Sequence, residues 1–84
     1  MIFFVVTKSG FLETKNLMKS AKCSVWVGGE VLSKAELASY RAMGMDITDF
    51  SYTINADNKK ELDGALNTIS EHHPKERIWL ECKA

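Results

Sequence analysis

Three short polar segments carry the side chains and backbone best suited to hold a small anion. Each follows a predicted β-strand, and they are Lys8-Ser9-Gly10, Gly28-Gly29-Glu30 and Asn55-Ala56-Asp57. Parallel strands would bring these segments to one edge of the sheet, beside helix N-termini whose free amides favour negative charge. Glycine lets the backbone approach a ligand closely. The six residues predicted to bind a ligand are Lys8, Ser9, Gly10, Gly28, Gly29 and Asn55.

The pattern of these segments is not specific for nucleotides. Neither the G-x-G-x-x-G fingerprint nor the G-x-x-x-x-G-K-[ST] loop is present. Glu30 and Asp57 would repel an anion at the same edge. The competing interpretation is that the glycines only turn the chain and that Lys8 is solvated.

Two adjacent histidines, His72 and His73, lie between carboxylates near the predicted end of a helix. Neighbouring helical residues point about 100° apart, so the two imidazoles are poorly placed to share one ion. Helical zinc pairs favour an i, i+4 spacing, which is absent. We therefore predict no metal site. The alternative role is structural, with one histidine extending an apolar stripe and the other exposed.

Arg41 and four aromatic side chains are further candidates for function. Arg41 is predicted to pair with Asp46 or Asp49, and the alternative is bidentate recognition of a ligand carboxylate or phosphate. The aromatic residues favour core packing or a dimer interface over base stacking. They are Trp26, Phe50, Tyr52 and Trp79.

The composition is that of one small globular domain spanning residues 1–84. The chain is 45% hydrophobic and 26% charged, with 11 basic and 11 acidic side chains. This balance argues against a nucleic-acid partner or an anionic membrane surface. The apolar run over residues 2–6 is far shorter than the ~20 residues of a membrane span. Two cysteines, Cys23 and Cys82, are too few for a disulfide scaffold, and we expect a cytoplasmic protein.

The hydrophobic periodicity alternates between strand and helix along the whole chain. Strands are predicted over 2–7, 22–27, 46–54 and 76–82, and helices over 11–20, 34–43 and from Asp57 to about His73. The middle helix has the strongest signals, because Ser33 and Glu36 form a capping box and Gly44 supplies a left-handed terminus. The last helix is predicted to start at Asp57 as N-cap and to end before Pro74.

This order predicts a small α/β domain with a four-stranded, mostly parallel sheet and two to three helices. Two of the three crossovers are long enough for right-handed parallel connections. Residues 8–21 are the weak point. If they form an irregular loop, the first two strands could pair antiparallel and the sheet would be mixed. A disulfide between Cys23 and Cys82 would need neighbouring strands and an oxidising compartment.

Two functions follow from these patterns. The first is a non-catalytic module that acts by association with itself, another protein or a small ligand, since no nucleophile–base pair, metal spacing or cofactor fingerprint is present. A chain this small would tend to bury extra apolar surface against a second copy. The alternative is an enzyme or ligand-binding protein that uses the anion-binding crevice of Lys8, Ser9, Gly28 and Gly29. We predict no catalytic residues and no cofactor.

Overall fold

The computed structural model describes residues 1–21 and 23–81 and alternates strands with helices. In chain order the elements are β1 (Ile2–Val5), α1 (Lys8–Ala21), β2 (Ser24–Val27), α2 (Lys34–Ala42), β3 (Asp46–Asp49), α3 (Lys59–His72) and β4 (Ile78–Leu80). The predicted α/β order of strands and helices is therefore confirmed.

The four strands form one sheet in the order β3-β2-β1-β4, and every neighbouring pair is parallel. Residues 8–21 are helical, so β1 and β2 are joined by a proper crossover and the mixed-sheet alternative is excluded. β1 is central, as its apolar character on both faces predicted. β3 and β4 are the two edge strands.

Helices cover both faces of this sheet. On one face, Val25 and Val27 pack with Phe11 of α1 and Leu37 of α2. On the other face, the strands pack against Ala65 and Ile69 of α3. The strands supply alternate residues to the two faces; those facing α3 include Ile2, Phe4 and Trp26. The core therefore has two layers, with α1 and α2 on one side and α3 on the other.

The capping box predicted for α2 is confirmed. The Glu36 amide donates to Ser33 Oγ at 3.1 Å, and the Ser33 amide donates to Glu36 Oε1 at 3.0 Å. At the other end, Gly44 follows the C-cap residue with φ +93°, a conformation that costs glycine little. Local side-chain chemistry therefore sets both ends of this helix.

Replacing the N-cap should weaken the fold. We expect Ser33→Ala to lower the free energy of unfolding by about 1 kcal/mol, because the Glu36 amide loses its acceptor. Urea denaturation followed by circular dichroism measures this loss. Ser39→Ala, an exposed change within the same helix, is the matched control and should be neutral or slightly stabilising. Equal stability of the two variants would contradict the capping role.

The first helix starts earlier than predicted. Sequence periodicity indicated residues 11–20, whereas α1 begins at Lys8. Thr7 explains the difference, because its Oγ1 accepts the Gly10 amide at 3.0 Å in the manner of an N-cap. Lys8, Ser9 and Gly10 therefore form the first helical turn instead of a loop.

Strand and cap predictions were wrong at several boundaries. The four strands are shorter than predicted, and β3 ends at Asp49 instead of residue 54. It stops because its partner β2 ends at Val27, where the Phe50 amide makes its bond to the Val27 carbonyl. The N-cap of α3 is Asn58, whose Oδ1 accepts the Glu61 amide at 3.2 Å, and not Asp57.

Cys23 is partly buried, and burial raises the pKa of its thiol. Cys82 lies outside the described residues, and so does the question of a bridge between the two cysteines. In the described part of the chain, no helix has both the length and the hydrophobicity required to cross a bilayer.

Candidate functional site

The sheet reverses its winding between β1 and β4. The chain passes from β1 to β2 and β3 on one side and then returns across the opposite face to place β4 on the other side. In open parallel sheets, ligands bind beyond the carboxyl ends of the strands at such a point. A cleft of about 540 Å³ opens there. Its lining residues are Val6, Thr7, Ser9, Gly10, Glu13, Ile54, Asn55, Ala56, Asp57 and Glu81.

The Glu81 carboxylate occupies the N-terminus of α1 within this cleft. Its Oε1 accepts the amides of Val6 at 2.8 Å and Thr7 at 3.0 Å, and its Oε2 accepts the Thr7 hydroxyl. A carboxylate in this position accepts from the N-cap amide of Thr7, which the helix leaves unpaired, and from the Val6 amide before it, and its charge complements the helix dipole. The chain therefore supplies its own anion at the switch point.

Gly10 makes room for that carboxylate. A Cβ atom added at Gly10 would overlap the carboxyl group of Glu81. Glycine is normally unfavourable within a helix by roughly 0.5–1 kcal/mol relative to alanine. Its presence in the first turn of α1 is thus explained by close packing against Glu81 and not by backbone conformation.

The structure distributes the six predicted ligand-binding residues over one rim of the sheet. Ser9, Gly10 and Asn55 line the switch-point cleft, while Lys8 and Gly29 line a neighbouring depression that also contains Glu30. Gly28 lines neither of these two depressions. The prediction of one shared rim is met by the parallel sheet, but the residues do not converge on a single pocket.

Most donors of the predicted anion site already have partners inside the protein. The Gly28 amide donates to the Val5 carbonyl at 3.1 Å, and the Gly29 amide donates to the Tyr52 carbonyl at 2.8 Å. A Cβ at Gly29 would lie 2.5 Å from that same carbonyl, so the close approach that this glycine allows is to the protein's own backbone. Binding of an anion by these two glycines would require breaking the hydrogen bonds that their amides donate to backbone carbonyls.

The charge on the cleft also disfavours an anion. Glu13, Asp57 and Glu81 line it, and none of the described residues that line it is a lysine or an arginine. The nearest predicted cation, Lys8, places its Nζ 2.9 Å from Glu36 Oε2 on α2. The anion-binding prediction remains a prediction, and an incoming anion would have to displace Glu81 from the end of α1.

The Lys8–Glu36 pair makes a pH-dependent prediction. The Ser33 amide, followed by Lys8, holds the pKa of Glu36 below its usual range. This pair therefore stabilises the fold above the ordinary glutamate pKa, and the contribution is lost as the pH falls through the lowered value. We expect Lys8→Met to raise the Glu36 pKa only part of the way back, because Ser33 remains. Carbon-13 NMR titration measures the Glu36 pKa, with Lys34→Met as the control. An unchanged Glu36 pKa in Lys8→Met would contradict the contribution of Lys8.

His72 and His73 both pack against Trp26. Their ring centroids lie 5.5 and 6.0 Å from the indole, and His73 Nδ1 is 2.9 Å from Glu76 Oε2. Among residues 1–21 and 23–81, no three histidine, cysteine or carboxylate side chains cluster closely enough to hold a metal ion. The histidines therefore have a packing role at the end of α3.

Arg41 is engaged at the β3 edge of the sheet. Its Nε and Nη2 donate to the Ile47 carbonyl at 3.2 and 2.8 Å, and Nη2 lies 3.3 Å from Asp49 Oδ1. Asp46, the other predicted partner, accepts a bond from the Ser24 hydroxyl instead. Arg41 thus caps an outward-facing carbonyl of an edge strand.

The opposite edge carries an apolar groove of about 260 Å³ between α1 and β4. Its lining residues are Phe3, Val5, Gly10, Glu13, Thr14, Trp79, Leu80 and Glu81. The Trp79 side chain is 48% exposed there, whereas the predicted aromatic companions Trp26 and Phe50 are buried in the core. Leu17, which is 58% exposed, lies one turn beyond Glu13 and Thr14 on the same side of α1. We call this surface the α1–β4 face.

Sequence reasoning missed Thr7 and Glu81 as the residues that organise the switch point. Thr7 carried a usable signal, because a threonine directly after a strand is a good N-cap for a following helix. Glu81 carried only its alternation with Trp79, which places both on one face of β4. Its contact with α1 depends on β4 lying beside β1, and the sequence does not specify that strand order.

Comparison of the chain with known protein families, with curated proteins and with solved structures finds no match.

Proposed function

We propose that this chain is a small association module whose docking surface is the α1–β4 face. The observation that supports the proposal is the half-exposed indole of Trp79 on the edge strand β4. It lies beside the apolar groove that Phe3 and Val5 line. Exposed tryptophans next to a pocket are typical anchors of protein interfaces. Leu17 extends the same apolar surface along α1.

The location of Trp79 argues for binding over simple packing. Of the four aromatic residues considered, Trp26 and Phe50 are almost fully buried. Tyr52 is exposed but its ring rests on Phe50 at 5.5 Å between centroids. For Trp79, no aromatic ring contact is present within the described residues. Half of a large apolar side chain is therefore left in water, which a partner would relieve.

The state of the switch-point cleft supports association over anion binding. Glu81 fills the end of α1, and Lys8 is paired with Glu36. These contacts serve the fold and leave the cleft acidic. We propose that the cleft has a structural role and that the module is non-catalytic and cytoplasmic.

A site-specific photo-crosslinker tests the docking surface. We expect benzoylphenylalanine in place of Leu17 to give a discrete covalent adduct on irradiation of expressing cells. The same label in place of Met43, which is 54% exposed near the opposite edge, is the matched control and should give none. The adduct from position 17 should disappear when Trp79→Lys is added, because a charge replaces the apolar anchor.

The result that overturns the proposal is equally clear. An adduct that survives Trp79→Lys, or equal labelling from positions 17 and 43, would mean that the α1–β4 face is not a docking surface. Circular dichroism of the Trp79→Lys variant verifies that the fold is retained, since Trp79 contributes little to the buried core.

A further inference from the structure

We propose that the partner on this face is a second copy of the chain, paired edge to edge through β4 about a twofold axis at Trp79. This inference rests on the proposed function and names its partner. The two sheets would join as one continuous sheet, with the two β4 strands antiparallel. Three features of the described residues support it: an open strand edge, a capped opposite edge and self-complementary side chains.

The open edge comes from the hydrogen-bond register of β4. The Ile2 amide donates to the Arg77 carbonyl, and the Glu81 amide donates to the Phe4 carbonyl. Odd-numbered residues of β4 therefore face β1, and the amides and carbonyls of Ile78 and Leu80 point away from the sheet. No group within residues 1–21 or 23–81 bonds to these outward-facing atoms. They form a ready template for another strand.

The edge of the sheet formed by β3 is protected from pairing with another strand, unlike the edge formed by β4. On β3, the outward-facing carbonyl of Ile47 is taken by the Arg41 guanidinium. Asp46 and Asp49 add exposed carboxylates along that edge. Charges and covering side chains are the usual devices that stop edge strands from pairing. β4 has neither device along its three residues.

A twofold axis at Trp79 makes β4 complementary to itself. Ile78 then lies opposite the partner's Leu80, and Leu80 lies opposite the partner's Ile78. Since these are the residues with outward backbone groups, the pairing closes four main-chain hydrogen bonds. Trp79 faces the partner's Trp79 as a non-hydrogen-bonded pair, the arrangement that brings side chains closest.

The flanking charges match in the same register. Arg77 lies opposite the partner's Glu81, and both side chains are on the face that carries Trp79. Arg77 is exposed and makes no ion pair with any residue of the described ranges. A shift by one residue would place Ile78 opposite the partner's Trp79, whose backbone groups face β1, and a shift by two would pair Ile78 or Leu80 with a residue beyond the ends of β4. The outward backbone groups of β4 therefore select the register centred on Trp79.

Disulfide trapping tests both the pairing and its register. In a background with Cys23→Ser and Cys82→Ser, Trp79→Cys should oxidise rapidly to a covalent dimer. Opposed residues of a non-hydrogen-bonded pair have Cα atoms about 4.5 Å apart, within the range of a disulfide. Arg77→Cys on the same strand should remain monomeric, because the two copies of residue 77 would lie about 13 Å apart. Met43→Cys is the control for random collision.

Sedimentation equilibrium of the unmodified chain provides a second measurement. We expect a dimer, with Trp79→Lys and Arg77→Glu each weakening dimerisation at least about tenfold, because both place like charges opposite one another. Tyr52→Lys, a similarly exposed aromatic elsewhere, should leave the dimer intact. The Arg77→Glu variant keeps the test valid if Trp79→Lys disturbs the fold.

The outcomes separate this inference from the function on which it rests. A monomer at millimolar concentration, or equal trapping of Trp79→Cys and Arg77→Cys, overturns the twofold pairing. If the Leu17 photo-crosslink then still gives an adduct that is lost with Trp79→Lys and has a mass other than double, the association module stands with a different partner. If that adduct is absent as well, both proposals fall.

Discussion

Removing the Glu81 carboxylate is expected to destabilise the fold by about 2–3 kcal/mol, even though the residue lies beyond the last strand. Glu81→Ala deprives the amides of Val6 and Thr7 and the Thr7 hydroxyl of one shared acceptor group. Hydrogen bonds to a charged group contribute about 1.5–3 kcal/mol each, and partial exposure of the site reduces their sum. For a domain of this size, the loss corresponds to a fall in Tm of about 10–20 °C.

Two comparisons isolate the role of the carboxylate. Glu13→Ala removes an equal charge from the same cleft, from an exposed position, and should stay within about 0.5 kcal/mol of the wild type. Glu81→Gln keeps an acceptor for the two amides and should cost less than Glu81→Ala. Urea denaturation of the three variants gives the order directly. Equal stability of Glu81→Ala and Glu13→Ala would contradict the contact.

Small carboxylates should partly restore the Glu81→Ala variant. Formate at tens of millimolar can occupy the vacated end of α1, where the amides of Val6 and Thr7 are left without their acceptor. We expect its Tm to rise with formate concentration while that of the wild type does not. For the same reason, inorganic phosphate should leave the wild-type amide signals of Ser9, Gly10, Gly28 and Gly29 unshifted. Shifts at those four amides would support the anion-binding alternative.

The order of helices and strands could be predicted from the sequence because each element has a local pattern of hydrophobic and capping residues. The capping box at Ser33 and Glu36 is formed by residues three apart in the chain, so the sequence shows it directly. The placement of Val25 and Val27 on one face and Trp26 on the other follows from the two-residue period of a strand. Parallel pairing of β1 and β2 was less certain from the sequence, because residues 8–21 gave only a weak helical pattern; the helix found there makes the parallel crossover. These predictions succeed because the deciding interactions span few residues.

The site depended on contacts between distant parts of the chain, and local patterns do not encode them. Glu81 reaches Val6 and Thr7 because β4 pairs with β1, and an arrangement with β4 beside β3 would fit the same periodicity. The end of β3 also depends on a distant part of the chain. It is set by the end of its partner β2 and not by the alternating residues that follow in β3's own sequence. Lys8 and Gly29 were correctly predicted at the rim, but the partners that engage them come from other elements.

Gly10 offers the strictest test of this long-range contact, because the expected effect of alanine is opposite at two helical glycines. Gly64 in α3 has open space around its added Cβ, so Gly64→Ala should stabilise the fold by about 0.5–1 kcal/mol through helix propensity. Gly10→Ala should destabilise it by about 1–2 kcal/mol, because the new methyl group displaces the Glu81 carboxylate from its three donors.

The losses of stability caused by Gly10→Ala in α1 and Glu81→Ala after β4 should therefore not be additive. Once Glu81→Ala has removed the carboxylate, Gly10→Ala has nothing left to displace and only its helix propensity remains. The double variant should be as stable as Glu81→Ala or slightly more stable, giving a coupling of about 1–3 kcal/mol in a double-mutant cycle. Urea denaturation of all four proteins measures that coupling. Additive losses would mean that Gly10 contacts something other than Glu81, and that the end of α1 is organised without the carboxylate.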